Sequence, residues 1–398
     1  MRPPQLQVAV IGAGIGGLAA AAELSRRGIA VDVYEQAREL REVGAGLHLG
    51  SNGTRLLHRL GLSERLREVA VRPAAIEIRS WNDGSVLSRQ PMGAQWESEF
   101  GAPYYTLHRA DLHRMLAELV PAGRLHLGCR LTDLVEDGEG VHLTFADGAV
   151  RDADLLVGAD GIHSVVRAAI ASGGEPVFSG NSAFRALVPA DLLPEGAADT
   201  MLIWAGPDAR LLSYPVQAGR MVTFVAVISD PGWTIESWST QGDVADLVMA
   251  FEGWEDTVRH MVSLVTQPGR WALYDREPLQ RWSTSRVTLL GDAAHPMLPH
   301  HGQGANQAIE DAVALAVCLA QASGAPVSAA LRRYEVTRRP HATRVQLGSR
   351  GSGSLRLRAG DSARPGTMRS MIDEVSWIQG YDVERDLADS RTHSLPAT

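Results

Sequence analysis

A chain of 398 residues with 45% apolar and 21% charged side chains has an ordinary globular balance and is long enough for two packed lobes. Its net charge of −8 excludes a global basic field for nucleic acid, and its 38 cationic side chains are all arginine, which excludes a Schiff-base or P-loop lysine. No run of about 18 apolar residues suggests a membrane span, and the N-terminus reads as a first strand rather than a signal peptide. Cys129 and Cys318 belong to no metal or C-x-x-C pattern, so a reduced, cytoplasmic protein without a metal is expected.

The apolar run Leu6 to Ile11 predicts a buried strand. It leads into Gly12-Ala-Gly14-Ile-Gly-Gly17, then an Ala-rich helix to Arg27, a stop at Gly28, and a second strand from Ile29 ending on Glu35. Gln36 to Gly50 reads as a loop rich in Gly and Arg, and Asn52 to Val69 as one helix. Ala75 to Arg89 predicts a hairpin around Asn82-Asp-Gly84, and Asp111 to Leu119 a helix. Strands are expected at Leu125 to Leu131, Val141 to Phe145 and Asp154 to Val157. From Val177 to Trp271 the pattern changes: Met201 to Trp204, Arg210 to Val216 and Met221 to Ile228 suit an antiparallel sheet, and Trp233 to Val265 looks helical. Val287 to Leu290 returns to a buried strand; long helices follow at Gln303 to Gln321 and Val327 to Arg338. Beyond Gly348 the chain is poorly patterned until Met371 to Tyr381.

The glycine motif carries the first functional signal. Gly12 suits a tight turn, Gly14 a close approach of backbone to a pyrophosphate, and Gly17 close packing of helix on sheet. The helix N-terminus offers amides and partial positive charge, and Glu35 has the spacing of an acid that binds ribose hydroxyls. Two later stretches are more selective: Asp160-Gly161-Ile-His-Ser164-Val-Val-Arg167, and Gly291-Asp292 followed by Pro299-His300-His301-Gly302-Gln-Gly304-Ala305-Asn306.

With these three motifs in this order, the chain resembles the single-component FAD-dependent aromatic hydroxylases, the group A flavoprotein monooxygenases. Gly44 to Gly50, His108 to His113 and Trp377 to Asp382 look most like salicylate and 6-hydroxynicotinate hydroxylases. The resemblance implies an α/β fold similar to para-hydroxybenzoate hydroxylase, with a Rossmann-like FAD-binding domain and an inserted mixed-sheet substrate domain. Expected segments are 1–75, 104–180 and 275–345 for FAD, 76–103 and 181–274 for substrate, and a C-terminal extension at 346–398. It further implies bound FAD, NADH or NADPH as co-substrate, O2, and a hydroperoxyflavin that hydroxylates a phenolic or N-heteroaromatic acid, with or without loss of CO2. Asp292 would bind the ribityl or ribose region, and Gly302, Gly304, Ala305 and Asn306 would face the pyrimidine edge of the flavin. Asp160, Arg167, Arg41 and Arg109 would also contact FAD or its phosphates.

For ring activation the candidates are His48, His300 and Tyr214, since a neutral histidine accepts a phenolic proton near pH 7. The same histidines also suit plain hydrogen bonds in tight loops, and Tyr214 also suits a core position. Arg210 shares a strand face with Tyr214 and suits either a carboxylate clamp or a solvated strand end. Pro299 is a candidate pocket wall. The expected partner is a small aromatic substrate, with no nucleic acid and no membrane, the protein being a monomer or homodimer. An epoxidase or a reductase of prenyl chains is the alternative on the same fold.

Overall fold

The structure is a computed structural model that describes residues 6–40, 46–171, 174–194, 196–235, 240–322, 324–351 and 376–392. Arg41, the start of the Gly44 loop and the Gly-, Ser- and Arg-rich stretch after Gly351 lie outside the described residues.

A five-stranded parallel sheet forms the first layer, in the order Val287–Leu289, Leu155–Gly158, Gln7–Ile11, Ala30–Glu35, Leu125–Leu127. Its inner strands are rich in Val, Ile, Leu and Ala because both faces are covered, by the helix Ile15–Arg26 and by side chains such as Leu143 and Phe145 of a small antiparallel sheet. Val10 pairs with Val157 on one side and Val33 on the other. The helix Ile15–Arg26 packs on the helix Gly304–Ala320, and glycine at 16 permits the approach: a Cβ there would sit 3.0 Å from the Ala308 Cβ and 2.8 Å from Leu290.

The second layer is a seven-stranded mixed sheet, ordered Gly269–Asp275, Val177–Pro189, Met221–Ser229, Ala209–Val216, Thr200–Ala205, Ala75–Ser80, Val86–Pro91. Alternation divides its residues between two faces. Phe184, Trp204, Leu211, Phe224 and Ala226 pack under the helices Val244–Ala250 and Asp256–Ser263. Ala183, Tyr214, Val227 and Trp271 face the opposite way, where Leu298, Trp96 and Tyr104 pack with them.

Several elements differ from expectation for local reasons. The Gly-rich loop after Glu35 contains a strand, Gly46–Leu49, paired antiparallel with Tyr105–His108. The helix expected over 52–69 is two, Ser51–Arg59 and Ser63–Val69, broken at Gly61 with φ +94°. The strand expected over 125–131 is interrupted at Gly128, φ +74°, so Leu125–Leu127 joins the parallel sheet and Leu131–Glu136 a separate three-stranded one. The final long helix runs past Pro340 to Gly351. Arg338 on one side and His341, Arg344 and Gln346 on the other are anchored to partners, which offsets the hydrogen bond that proline removes.

Candidate active site

At the end of the first strand Gly12 takes φ +102°, where a Cβ would run into the backbone of Ala159 and Asp160. Gly17 is pressed onto the carbonyl of Gly12. A Cβ at Gly14, by contrast, meets nothing within 4 Å, so open space lies where the helix Ile15–Arg26 begins and its first amides lack intrahelical acceptors. Glu35 accepts the amides of Ala13 and Ala37, both at 2.8 Å, which fixes its carboxylate beside that opening.

Asp160 caps the helix Val165–Ile170, accepting Val165 N at 2.7 Å, Val166 N at 3.2 Å and the Ser164 hydroxyl. Burial raises its pKa against these donors. Arg167 is 3% exposed and donates to the carbonyls of Ile162 and Ala293, the latter at 3.0 Å. It ties the Asp160 turn to the Gly291 turn, and burial followed by Arg276 lowers its pKa to about 10. Asp292 projects an exposed carboxyl into a recess crowded by protein. That crowding raises its pKa, against the pull of His295, Arg109 and Arg167. Arg109 lines the same recess: burial lowers its pKa and Asp292 opposes the shift.

The turn before the helix Gly304–Ala320 meets the strand that carries His48. Gly302 has φ +62°, and a Cβ there would lie 2.7 Å from His48 Nδ1. Asn306 Nδ2 donates to the carbonyls of His48 at 3.1 Å and Gly302 at 3.0 Å, while its Oδ1 accepts Gly50 N at 3.0 Å. His48 is buried with no hydrogen-bond partner for Nε2, and burial pushes its pKa down to about 4. The Tyr214 ring stands edge-on to it at 4.2 Å between centroids, with Tyr104 at 6.1 Å. Burial raises the pKa of both tyrosines, so each hydroxyl keeps its proton. One strand face further along, Arg210 Nη2 meets His300 Nδ1; Pro299 beside it is exposed.

The structure thus brings His48, Tyr214, Gly302 and Asn306 into one cluster, Arg210 and His300 into a second, and Asp292 and Arg109 into a third. It commits Asp160 and Arg167 to backbone groups around the cleft. Two residues escaped sequence reading: Tyr104, and Arg185 on the strand Val177–Pro189. Arg185 stacks 4.0 Å over Trp271, and burial lowers its pKa to about 9. It faces the same side as Tyr214, two strands away, through the rows Arg185↔Val225 and Leu212↔Val225. An arginine within the apolar run Ala183 to Val188 was the available signal.

The FAD binding domain family matches residues 5–348 of the chain. A 3-amino-4-hydroxybenzoate 2-monooxygenase of Streptomyces platensis is 44% identical over 384 residues, covering 94% of this chain and 96% of the relative. A 6-hydroxynicotinate 3-monooxygenase of Bordetella bronchiseptica is 36% identical, covering 95% of each. The chain belongs to the FAD-dependent aromatic-ring monooxygenases. The structure of a salicylate hydroxylase substrate complex is similar to this monooxygenase with a TM-score of 0.83, at 32% identity and 99% coverage of both chains. These names lend no support to an epoxidase or prenyl reductase.

FAD fits the residues present in this monooxygenase. The open side of Gly14, the free amides of the first helical turn and the fixed Glu35 carboxylate offer donors and an acceptor of the kind a dinucleotide needs, and Asp292 offers a further exposed acceptor. Among the described residues no group of three or more His, Cys, Asp or Glu is arranged to hold a metal, and no helix is long and apolar enough to cross a membrane.

Proposed function

We propose that this monooxygenase hydroxylates a benzoate or nicotinate whose ring hydroxyl lies para to its carboxylate, with 3-amino-4-hydroxybenzoate the first candidate. The observation that carries this reading is the strand Ala209–Val216. Arg210 and Tyr214 share its site face, four residues and about 13 Å apart, with His300 beside the first and His48 beside the second. A carboxylate and a para hydroxyl lie at opposite extremes of one ring, so the substrate can hydrogen-bond the Arg210 side chain at one end and His48 at the other. An ortho pair would place both groups at one end.

Bound FAD supplies hydride acceptance from the nicotinamide and activation of O2; overall, substrate, NAD(P)H, H⁺ and O2 give hydroxylated product, NAD(P)⁺ and water. The protein's own residues do the rest. His48 Nε2 accepts the hydrogen bond of the ring hydroxyl and takes its proton as the ring gives up electron density to the incoming oxygen, when that hydroxyl becomes acidic enough for a buried imidazole to receive it. Tyr214 orients that oxygen. Arg210, with His300, holds the carboxylate, and Pro299 closes the wall. Asp292, Arg109 and the amides of Gly302, Gly304 and Ala305 hold the flavin, and Gly12, Gly14, Gly17 and Glu35 the pyrophosphate and ribose. Asp160, Arg167 and Asn306 keep these segments in register. The reduced thiols of Cys129 and Cys318 support a cytoplasmic setting.

The test is NADH and NADPH oxidation by the purified holoenzyme with 3-amino-4-hydroxybenzoate, 4-hydroxybenzoate, 6-hydroxynicotinate, 3-hydroxybenzoate and salicylate, tracking product and H2O2. We expect the three para compounds to give stimulated, coupled turnover. Preference for salicylate or 3-hydroxybenzoate would overturn the para assignment, and no product from any acid would overturn the substrate class.

A further inference from the structure

The stretch Trp377 to Asp382 is far in sequence from every residue assigned a role above, yet it reaches the turn next to His48. The helix Ser51–Arg59 starts two residues after the His48 strand ends, and its N-cap, Gly50, has no side chain to accept the free amides of the first turn. Two distant side chains supply the missing acceptors. Asn306 Oδ1 takes Gly50 N at 3.0 Å, and Gln379 Oε1 takes Ser51 N at 2.8 Å. Gln379 is 4% exposed. A Cβ at Gly50 would lie 2.6 Å from Gln379 Oε1 and 3.2 Å from Gln303 Nε2, so the turn is glycine because these amides converge on it.

The segment that delivers Gln379 is firmly held. His341 stacks on Tyr381 at 3.7 Å, Arg344 lies 3.8 Å over Trp377, Arg55 donates to the Tyr381 carbonyl at 2.8 Å, and Arg59 pairs with Asp382 at 2.7 Å. On the other side, Ser51 Oγ accepts Trp96 Nε1 at 2.9 Å and donates to the Ala102 carbonyl at 2.8 Å, and the Trp96 ring stands edge-on to Tyr104. Gln379 is therefore fixed at one end by a packed helix pair and ends on the turn that aims His48.

We propose that Gln379 is a positioning residue for ring hydroxylation: by capping the helix after the His48 strand, it holds the His48 imidazole in register with Tyr214. The proposal rests on His48 being the proton acceptor, the reading given above. Gln379→Leu removes the acceptor at similar volume, Gln379→Asn shortens the reach, and Gln379→Glu restores an acceptor that a helix N-terminus favours.

The experiment uses the full-length FAD-bound enzyme and two readouts, amide hydrogen exchange across residues 46–54 and the ratio of hydroxylated product to H2O2. We expect Gln379→Leu to speed exchange from His48 to Ser51 and to lower coupled kcat roughly tenfold, the size of one lost hydrogen bond of about 1.4 kcal/mol. KM for the nicotinamide should stay put, Gln379→Asn should fall between, and Gln379→Glu should recover both readouts. Unchanged exchange overturns the proposal. So does faster exchange with wild-type kcat and coupling, because the cap is then structural only. Should the parent enzyme hydroxylate no aromatic acid, the functional reading fails while exchange at His48 still decides whether Gln379 controls its position.

Discussion

His48 is buried, neutral and close to a second ring, and its environment dictates how it titrates. Burial holds its pKa near 4, against about 6.5 for a free imidazole. The ring stays an acceptor throughout the neutral range, so an acid limb in kcat/KM that belongs to His48 should fall near pH 4–5. A limb at 6.5 that disappears in His48→Gln would contradict this. Stability carries the same signature. Between pH 6.5 and 4 the unfolded chain protonates His48 and the folded protein does not, so the folded state loses stability as pH falls through that window. His48→Gln should lessen the drop between pH 7 and 4.5 by about 2–3 kcal/mol in urea unfolding. Individual residues of this kind were legible in the sequence as types in suggestive loops. Their grouping was not, because Arg185, Val225 and Leu212 become neighbours only through strand pairings across separate segments.

The helix Gly304–Ala320 presents Glu310 and Asp311 side by side to one buried cation, Arg338, on the helix Val327–Gly351. Asp311 also accepts Gly291 N at 2.9 Å and His295 Nε2 at 2.6 Å. Burial alone would raise its pKa, but His295 and Arg338 bring it down to about 2. Glu310 shares the same arginine, accepts the neutral amides of Asn52 and Gln307 and has His341 Nε2 at 3.7 Å, but burial prevails and, with the charge of Asp311 beside it, lifts it to about 7. One cation thus serves two carboxylates unequally. Arg338→Met should strand both and cost about 3–5 kcal/mol, measured by chemical unfolding at pH 7.5. Adding Glu310→Gln should recover part of that loss; no recovery would mean that Arg338 acts through packing alone. Sequence reading placed both helices, since apolar periodicity over 17 residues is strong evidence. It stopped the second at Arg338 because Pro340 follows, and it missed the strand Gly46–Leu49 because glycine hides a strand whose partner lies some sixty residues away.

The two largest of the hydrophobic cores among the described residues belong to different sheets. One surrounds the parallel sheet; the other lies under the helices Val244–Ala250 and Asp256–Ser263, where Phe251, Trp254 and Met261 pack on the far face of the seven-stranded sheet. Trp254→Ala should cost about 3–5 kcal/mol, yet leave FAD affinity near wild type, since that core lies away from the dinucleotide cleft. Flavin fluorescence titration beside thermal unfolding checks this, and a parallel loss of FAD binding would show that the cores are coupled. The alternation of strands and helices made the parallel sheet legible from the sequence. The seven-stranded sheet was only partly so, because its order interleaves segments from 75 to 275.

The parallel sheet also sets an order of events during synthesis. Gln7–Ile11 can pair early with Ala30–Glu35, but its other neighbour, Leu155–Gly158, and the edge strand Val287–Leu289 are translated much later. Until then an apolar strand waits with one side open, which slows folding and invites association with other chains. Nascent chains of this enzyme should therefore lean on chaperones that shield exposed strands, and the dinucleotide cleft, begun by the earliest strand of this sheet to be made, is among the last parts of the molecule to be completed.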